Sequence, residues 1–189
     1  MSRGVSTGGP TLVVVSGPPG AGKTTLAHAI GRGLGCPAIC RDEIKEGMAH
    51  ATPGYLPRPG DELAIRTLAT FFDTLRLLLE RGVTTVAEAA FQDRLWRPGL
   101  EPLAELAQIL IVRCVVEEAQ ARERMHARAD NDPLRAAAHD DVVHLRTLAD
   151  AAEPAAFDHV DLAVPTLHVD TSNGYRPELA DVVAFARGW

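Results

Sequence analysis

The sequence predicts an α/β fold in which a five-stranded parallel sheet is covered by helices on both faces, forming a three-layer α/β/α arrangement. Three observations predict it. Short apolar runs, partly β-branched, alternate along the chain with helical patterns, and strands separated by helices imply parallel pairing with both faces covered. The first such run passes through the glycine-rich turn Gly17-Pro18-Pro19-Gly20-Ala21-Gly22 directly into a helical pattern. A chain of 189 residues with 46% hydrophobic content can bury one core, so a single domain over residues 11–189 is the expectation, preceded by a frayed, polar segment 1–10.

The elements follow in order. Residues 12–16 are the first strand and 25–34 its helix. Residues 37–40 are the second strand, followed by a helix beginning near Glu43. The clearest helix spans 61–80, where Leu68, Phe71, Phe72, Leu75, Leu78 and Leu79 recur at helical spacing before Gly82 stops it. Strands at 83–87 and 109–115, helices at 117–129 and 134–152, a fifth strand at 166–169 and a helix at 177–187, with Pro177 in its first turn, complete the pattern. There is no internal repeat and no low-complexity block.

The first turn carries chemistry. Gly17-x-x-x-x-Gly22-Lys23-Thr24 matches a phosphate-binding loop, in which successive backbone N–H groups surround a phosphate at a helix start and glycine lets the chain approach closely. Gly17, Pro19, Gly20, Ala21, Gly22, Lys23, Thr24 and Thr25 are therefore candidates to hold the triphosphate of ATP. Lys23 would neutralise the β- and γ-phosphates, and the Thr24 hydroxyl would ligate Mg²⁺. The chain has only two lysines, Lys23 and Lys45, against seventeen arginines. A compact ammonium suits a tight loop that a planar guanidinium does not fit.

Ligands of parallel sheets bind beyond the C-terminal strand ends, and three of the five strands end near an acid: Asp42, Glu88 and Asp170. Composition narrows the partners. A formal net charge of -6 argues against non-specific nucleic-acid or membrane binding, and no run of eighteen apolar residues or signal-like start is present, so a cytoplasmic protein is expected. Cys36, Cys40 and Cys114 lack CxxC spacing and read as reduced packing residues, with a reactive thiol at Cys40 as the alternative. His126, His139 and His144 show no metal-ligand spacing.

With "GPPGAGKTT", "RDEIKE" after strand two, "ARERMHAR" after strand four and "VDTSNGYRPE" after strand five, nearly the whole chain resembles the small phosphate-loop kinases grouped with polynucleotide 5′-hydroxyl kinases, zeta toxins and chloramphenicol phosphotransferase. The resemblance implies strand order 2-3-1-4-5. It also implies a proton-accepting carboxylate at Asp42, a helical lid over about 117–140 carrying arginines, and an adenine-side loop around Asp170 and Thr171. Arg124 and Arg128, four apart, share a helix face, whereas Arg122 points elsewhere.

Bland readings stand beside these. Asp42 suits an N-cap, Glu88 a plain strand-end acid in place of a holder of Mg²⁺ through water or of the acceptor, and the lid arginines a solvated face partnered by Glu117, Glu118 and Glu123. On the acceptor side, Tyr55, Arg58, Phe91, Arg94, Trp96 and Arg97 border the expected pocket, although aromatics at a helix start more often pack into the core. The leading expectation is an ATP- and Mg²⁺-dependent transfer of a phosphoryl group to the hydroxyl of a small molecule such as a nucleoside, sugar, nucleotide-sugar or antibiotic. The alternatives are a polynucleotide 5′-hydroxyl kinase and, in a different class, a regulatory ATP-binding switch, which needs no base beside an acceptor.

Overall fold

The computed structural model describes residues 8–58, 61–131, 135, 138–139 and 157–187. Five strands, β1 (Thr11–Ser16), β2 (Ala38–Cys40), β3 (Thr85–Glu88), β4 (Gln108–Val115) and β5 (Thr166–Asp170), form one sheet in the order β2-β3-β1-β4-β5. Every pairing is parallel, with Val13 opposite Val86 and Leu110, and Cys40 opposite Glu88. The order is the expected 2-3-1-4-5. Between the strands lie helices α1 (Lys23–Leu34), α2 (Arg41–His50), α3 (Glu62–Glu80), α4 (Asp93–Leu100) and α5 (Glu118–Asn131), and α6 (Leu179–Ala186) follows β5. A 3-10 turn over Glu101–Glu105 precedes β4. The expected helix 134–152 and the end of the expected lid lie outside the described residues, apart from positions 135, 138 and 139.

Central strand β1 is buried at every position because both of its faces are covered. Leu12 and Val14 point to one side, into a core with Phe71, Leu75 and Leu79 of α3 and Trp96 and Leu100 of α4. Val13 and Val15 point to the other, against Leu26, Ala27 and Ile30 of α1 and Val182 and Ala186 of α6. Phe91 and Trp96 meet edge-to-face at 4.9 Å and anchor the first core, with Trp96 also reaching the cleft at the strand ends.

Local chemistry sets the boundaries. Asp61 caps α3 by accepting the Ala64 N–H at 2.7 Å. At its other end the Val83 N–H donates to the Leu78 carbonyl, so Val83 closes the helix and the third strand starts two residues later than its apolar run implies. The second correction concerns α2. It begins at Arg41 with Cys40 at the N-cap position, so Asp42 lies inside the first turn and is not its cap.

Candidate functional site

Four strand ends meet in one cleft. It is lined by Pro19, Gly20, Gly22, Lys23, Thr24 and Thr25 from the first loop and α1, by Arg41 and Asp42 from α2, and by Glu88 at the end of β3 and Ala90 beyond it, with Trp96, Met125, Arg128 and Arg135 completing it. The parallel sheet brings these together because each connection leaves its strand at the same edge.

The glycine loop takes its shape from backbone that other residues resist. Gly20 has φ of 77° and Gly22, the residue before α1, has φ of 69°. A Cβ on Gly20 would stand 2.4 Å from the Ala121 carbonyl oxygen, so the loop also packs directly on the start of α5. Lys23 donates from Nζ to the Pro18 carbonyl at 3.0 Å. Burial pulls its pKa below the ordinary lysine value, opposed by the carboxylates of Glu88 and Asp42. Thr24 Oγ1 donates to Glu88 Oε2 at 3.1 Å. Glu88 is 3% exposed, and desolvation raises its carboxyl pKa against the pull of Lys23.

Asp42 sits between cations. Arg41 donates to Oδ1 at 3.0 Å and Arg135 donates to Oδ2 at 3.3 Å, while Arg135 also reaches Glu46. Burial alone would raise the Asp42 carboxyl; the charges of His139, Arg135 and Arg41 outweigh it and hold the group well below the usual carboxylate range.

Arg124 and Arg128 differ in placement. Arg124 donates from Nη2 to the carbonyls of Thr171 at 2.8 Å and Ser172 at 2.9 Å, and from Nη1 to Gly20 at 3.4 Å, tying the loop after β5 to the glycine loop. Arg128 lines the cleft beside Lys23, on which its charge acts. Arg122 pairs with Glu118 on the outer face of α5. Thr171 is buried and donates from Oγ1 to the Ala21 carbonyl at 2.9 Å, and the Asp170 carboxylate accepts the Ser172 N–H at 2.8 Å, which lowers its pKa. Both residues thus shape the loop after β5, and neither lines the cleft.

The expected acceptor cations are elsewhere. Arg58 and Arg94 are exposed, and Arg97 is held by Asp93 at 2.7 Å; none of the three lines the cleft. Tyr55 donates its hydroxyl to Asp61 and stands with the same outlying loop. Arg41 and Arg135 occupy the place instead. Sequence signals for them were weak: Arg41 is adjacent to the acid that drew attention, and Arg135 lies in a segment read only as a helix. Burial raises the Cys40 thiol, aided by Glu88 and Glu43, against the reactive-thiol alternative. Among the described residues no helix is long and apolar enough to cross a membrane.

A sheet of this order, with a glycine-rich loop leading from β1 into α1 and an acid at the end of β3 bonded to the loop threonine, defines the phosphate-loop nucleotide-binding class. The profile of the AAA domain family matches residues 12–154, and the chain belongs to that family. Solved structures share the fold. A candidate kinase from Chloroflexus aurantiacus matches with a TM-score of 0.79 at 24% identity, over 94% of this chain and 97% of that one. A gluconokinase from Sinorhizobium meliloti matches at 0.53 and 24% identity, over 94% and 89%. The Mycobacterium tuberculosis APS kinase, solved with AMPPNP and APS, matches at 0.62 and 15% identity, over 96% and 99%. No curated protein matches by sequence.

Proposed function

We propose that the protein is an ATP-dependent phosphotransferase that moves the γ-phosphoryl group to a hydroxyl of a small molecule. The observation that carries this reading is the shared cleft: Lys23, the Thr24–Glu88 pair and Asp42 line one space, so a triphosphate held by the loop and a hydroxyl held by Asp42 would be neighbours. A regulatory switch has no use for a carboxylate in that position.

In this reading the backbone N–H groups of Gly20, Gly22 and Lys23 and the Lys23 ammonium hold the phosphates. The half-buried lysine, flanked by Glu88 and Asp42, is suited to an anionic partner. Thr24 and Glu88 are the residues that would hold Mg²⁺, directly and through water, and the ion supplies charge neutralisation on the phosphates when bound. The acceptor oxygen forms a bond to the γ-phosphorus while the bond to the bridging oxygen of ADP breaks, and the acceptor proton passes to Asp42. Arg128 faces the charge that develops in transfer. Arg124, fixed on backbone carbonyls, is a positioning residue that holds the two loops together. In this reading α5, with Arg128 over the cleft, serves as the described part of the expected lid.

The acceptor we infer is small and carries one anionic group. Arg41 and Arg135 flank Asp42, and Arg41 Nε is a buried donor with no hydrogen-bond partner among the described residues. Two guanidiniums suit one carboxylate, phosphate or sulfate. The net charge of -6 gives no support to a polynucleotide acceptor. The test is transfer from γ-labelled ATP across a panel of neutral and anionic hydroxyl compounds, with oligonucleotides included. Label on a small anionic acceptor supports the reading; label only on oligonucleotide ends, or on none of the panel, contradicts it.

A further inference from the structure

Behind the cleft, on the sheet face covered by α1, three donor atoms of different chemistry converge. His28 Nε2 lies 2.7 Å from Glu43 Oε1 and 3.7 Å from Cys40 Sγ, and all three atoms are within 4.8 Å of one another. Each comes from a separate element: His28 from the middle of α1, Cys40 from the end of β2 and Glu43 from the first turn of α2. We propose that His28, Cys40 and Glu43 form a site for a thiophilic divalent cation of the zinc class.

The geometry is close to what such an ion needs. Zinc–sulfur and zinc–nitrogen bonds of about 2.3 and 2.1 Å at a tetrahedral angle place the two donor atoms roughly 3.6 Å apart. The observed 3.7 Å already matches that edge. The nitrogen–oxygen edge, now a hydrogen bond of 2.7 Å, would have to open to about 3.4 Å, which a side-chain rotation of the half-exposed Glu43 can supply. A fourth position is left on the solvent side, where Glu43 and His28 are 47% and 38% exposed in their side chains. Cys40 is 2% exposed and approaches from the protein side, so the thiolate would be shielded while the other two ligands remain accessible. Binding replaces the thiol proton, which leaves to solvent.

An ion pair between His28 and Glu43 that happens to sit near a thiol is the competing account. Ion uptake separates the two, because only the metal site takes a thiophilic ion in excess Mg²⁺, which prefers oxygen ligands and leaves this cluster alone. The site also lies one layer from the cleft: Cys40 is opposite Glu88 in the sheet, and Glu88 bonds Thr24, one helical turn before His28. The inference does not depend on the phosphotransferase reading, because its readout is spectroscopic.

The test is titration of the purified full chain with Co²⁺ under reducing conditions in excess Mg²⁺. The expected result is a thiolate-to-cobalt charge-transfer band together with tetrahedral visible bands, reaching one ion per chain and displaced by Zn²⁺. Cys40→Ser should abolish the charge-transfer band. His28→Ala, at a partly exposed position, should weaken Co²⁺ binding at least about tenfold, the scale on which groups supporting a metal centre act. Cys36→Ser should change neither. Absence of the band in the unmodified protein, its persistence in Cys40→Ser, its loss in Cys36→Ser, or unaltered affinity in His28→Ala would each overturn the assignment.

Discussion

Arg124 offers the sharpest perturbation, because its guanidinium spans two loops that contribute nothing to each other in sequence. Arg124→Ala removes donors from the carbonyls of Thr171 and Ser172, at 2.8 and 2.9 Å, and a longer contact to Gly20 at 3.4 Å. Hydrogen bonds from a charged donor contribute about 1.5–3 kcal/mol each. Arg124 is only half-buried, so the lower end applies to the two short bonds and the long one adds little. The sum is about 3 kcal/mol. At roughly 2–4 °C per kcal/mol for a chain of this size, Tm should fall by about 6–12 °C. Because the Gly20 carbonyl belongs to the phosphate loop, part of the loss should appear as weaker nucleotide binding: KM for ATP should rise about tenfold or more, where tenfold corresponds to ~1.4 kcal/mol. The kcat should stay within about threefold, since these contacts precede the chemical step. Differential scanning calorimetry and steady-state kinetics check both halves. An unchanged Tm with a large loss of kcat would refute the reasoning, since it would mean that Arg124 leaves its carbonyls and acts on the transferring phosphoryl group.

Further outcomes follow from the same geometry. Gly20→Ala places a Cβ against the Ala121 carbonyl at 2.4 Å in backbone of φ 77°, and should destabilise the fold by at least ~1–2 kcal/mol in thermal unfolding while weakening ATP binding measured by calorimetry. Glu88→Gln should raise the Mg²⁺ concentration for half-maximal turnover by about tenfold or more, with little change in nucleotide binding measured without Mg²⁺. Arg128→Ala should lower kcat more than it raises KM for ATP, while Arg58→Ala and Arg94→Ala, outside the cleft, should leave both near wild type. Asp42 has a depressed pKa, so the stability it contributes is present above the unfolded carboxyl value of about 3.9 and fades as pH falls below it. The Tm difference between wild type and Asp42→Asn should therefore be largest near neutrality and shrink on acidification, and no acid limb of kcat/KM above about pH 5 should trace to Asp42.

The sheet was legible because its strands are covered on both faces: short continuous apolar runs such as Leu12 to Val15, bounded by glycine and proline, suit a strand buried on both sides. Strand order was not in the periodicity, and came from the resemblance. Errors at the boundaries have local causes. Val83 is apolar and β-branched like the strand that follows, yet its N–H closes α3, a bond that hydrophobicity does not encode. Nor did a repeating pattern announce the 3-10 turn at Glu101–Glu105, five residues long with Pro102 near its start. Within the cleft, the glycine loop with Lys23 and Thr24 is legible from motif spacing, and Asp42 from its place just after the second strand. Arg135 reaches Asp42 across 93 positions, and His28 meets Cys40 across 12, so only the folded chain brings them together. Arg58, Arg94 and Arg97 do not line the cleft, because sequence position does not fix where a cation points; Arg97 finds Asp93 one turn away in α4.

The central claim, that Asp42 receives the acceptor proton beside a nucleotide held by the glycine loop, is tested most directly by comparing wild type with Asp42→Asn in two measurements on the same preparation. One is ATP affinity by calorimetry, and the other is single-turnover phosphoryl transfer to the acceptor found by the panel. The account predicts affinity within a few-fold and transfer lowered by roughly 10²–10⁴, the range for a lost general base. Transfer within a few-fold of wild type, or an equal collapse of ATP affinity, would contradict it.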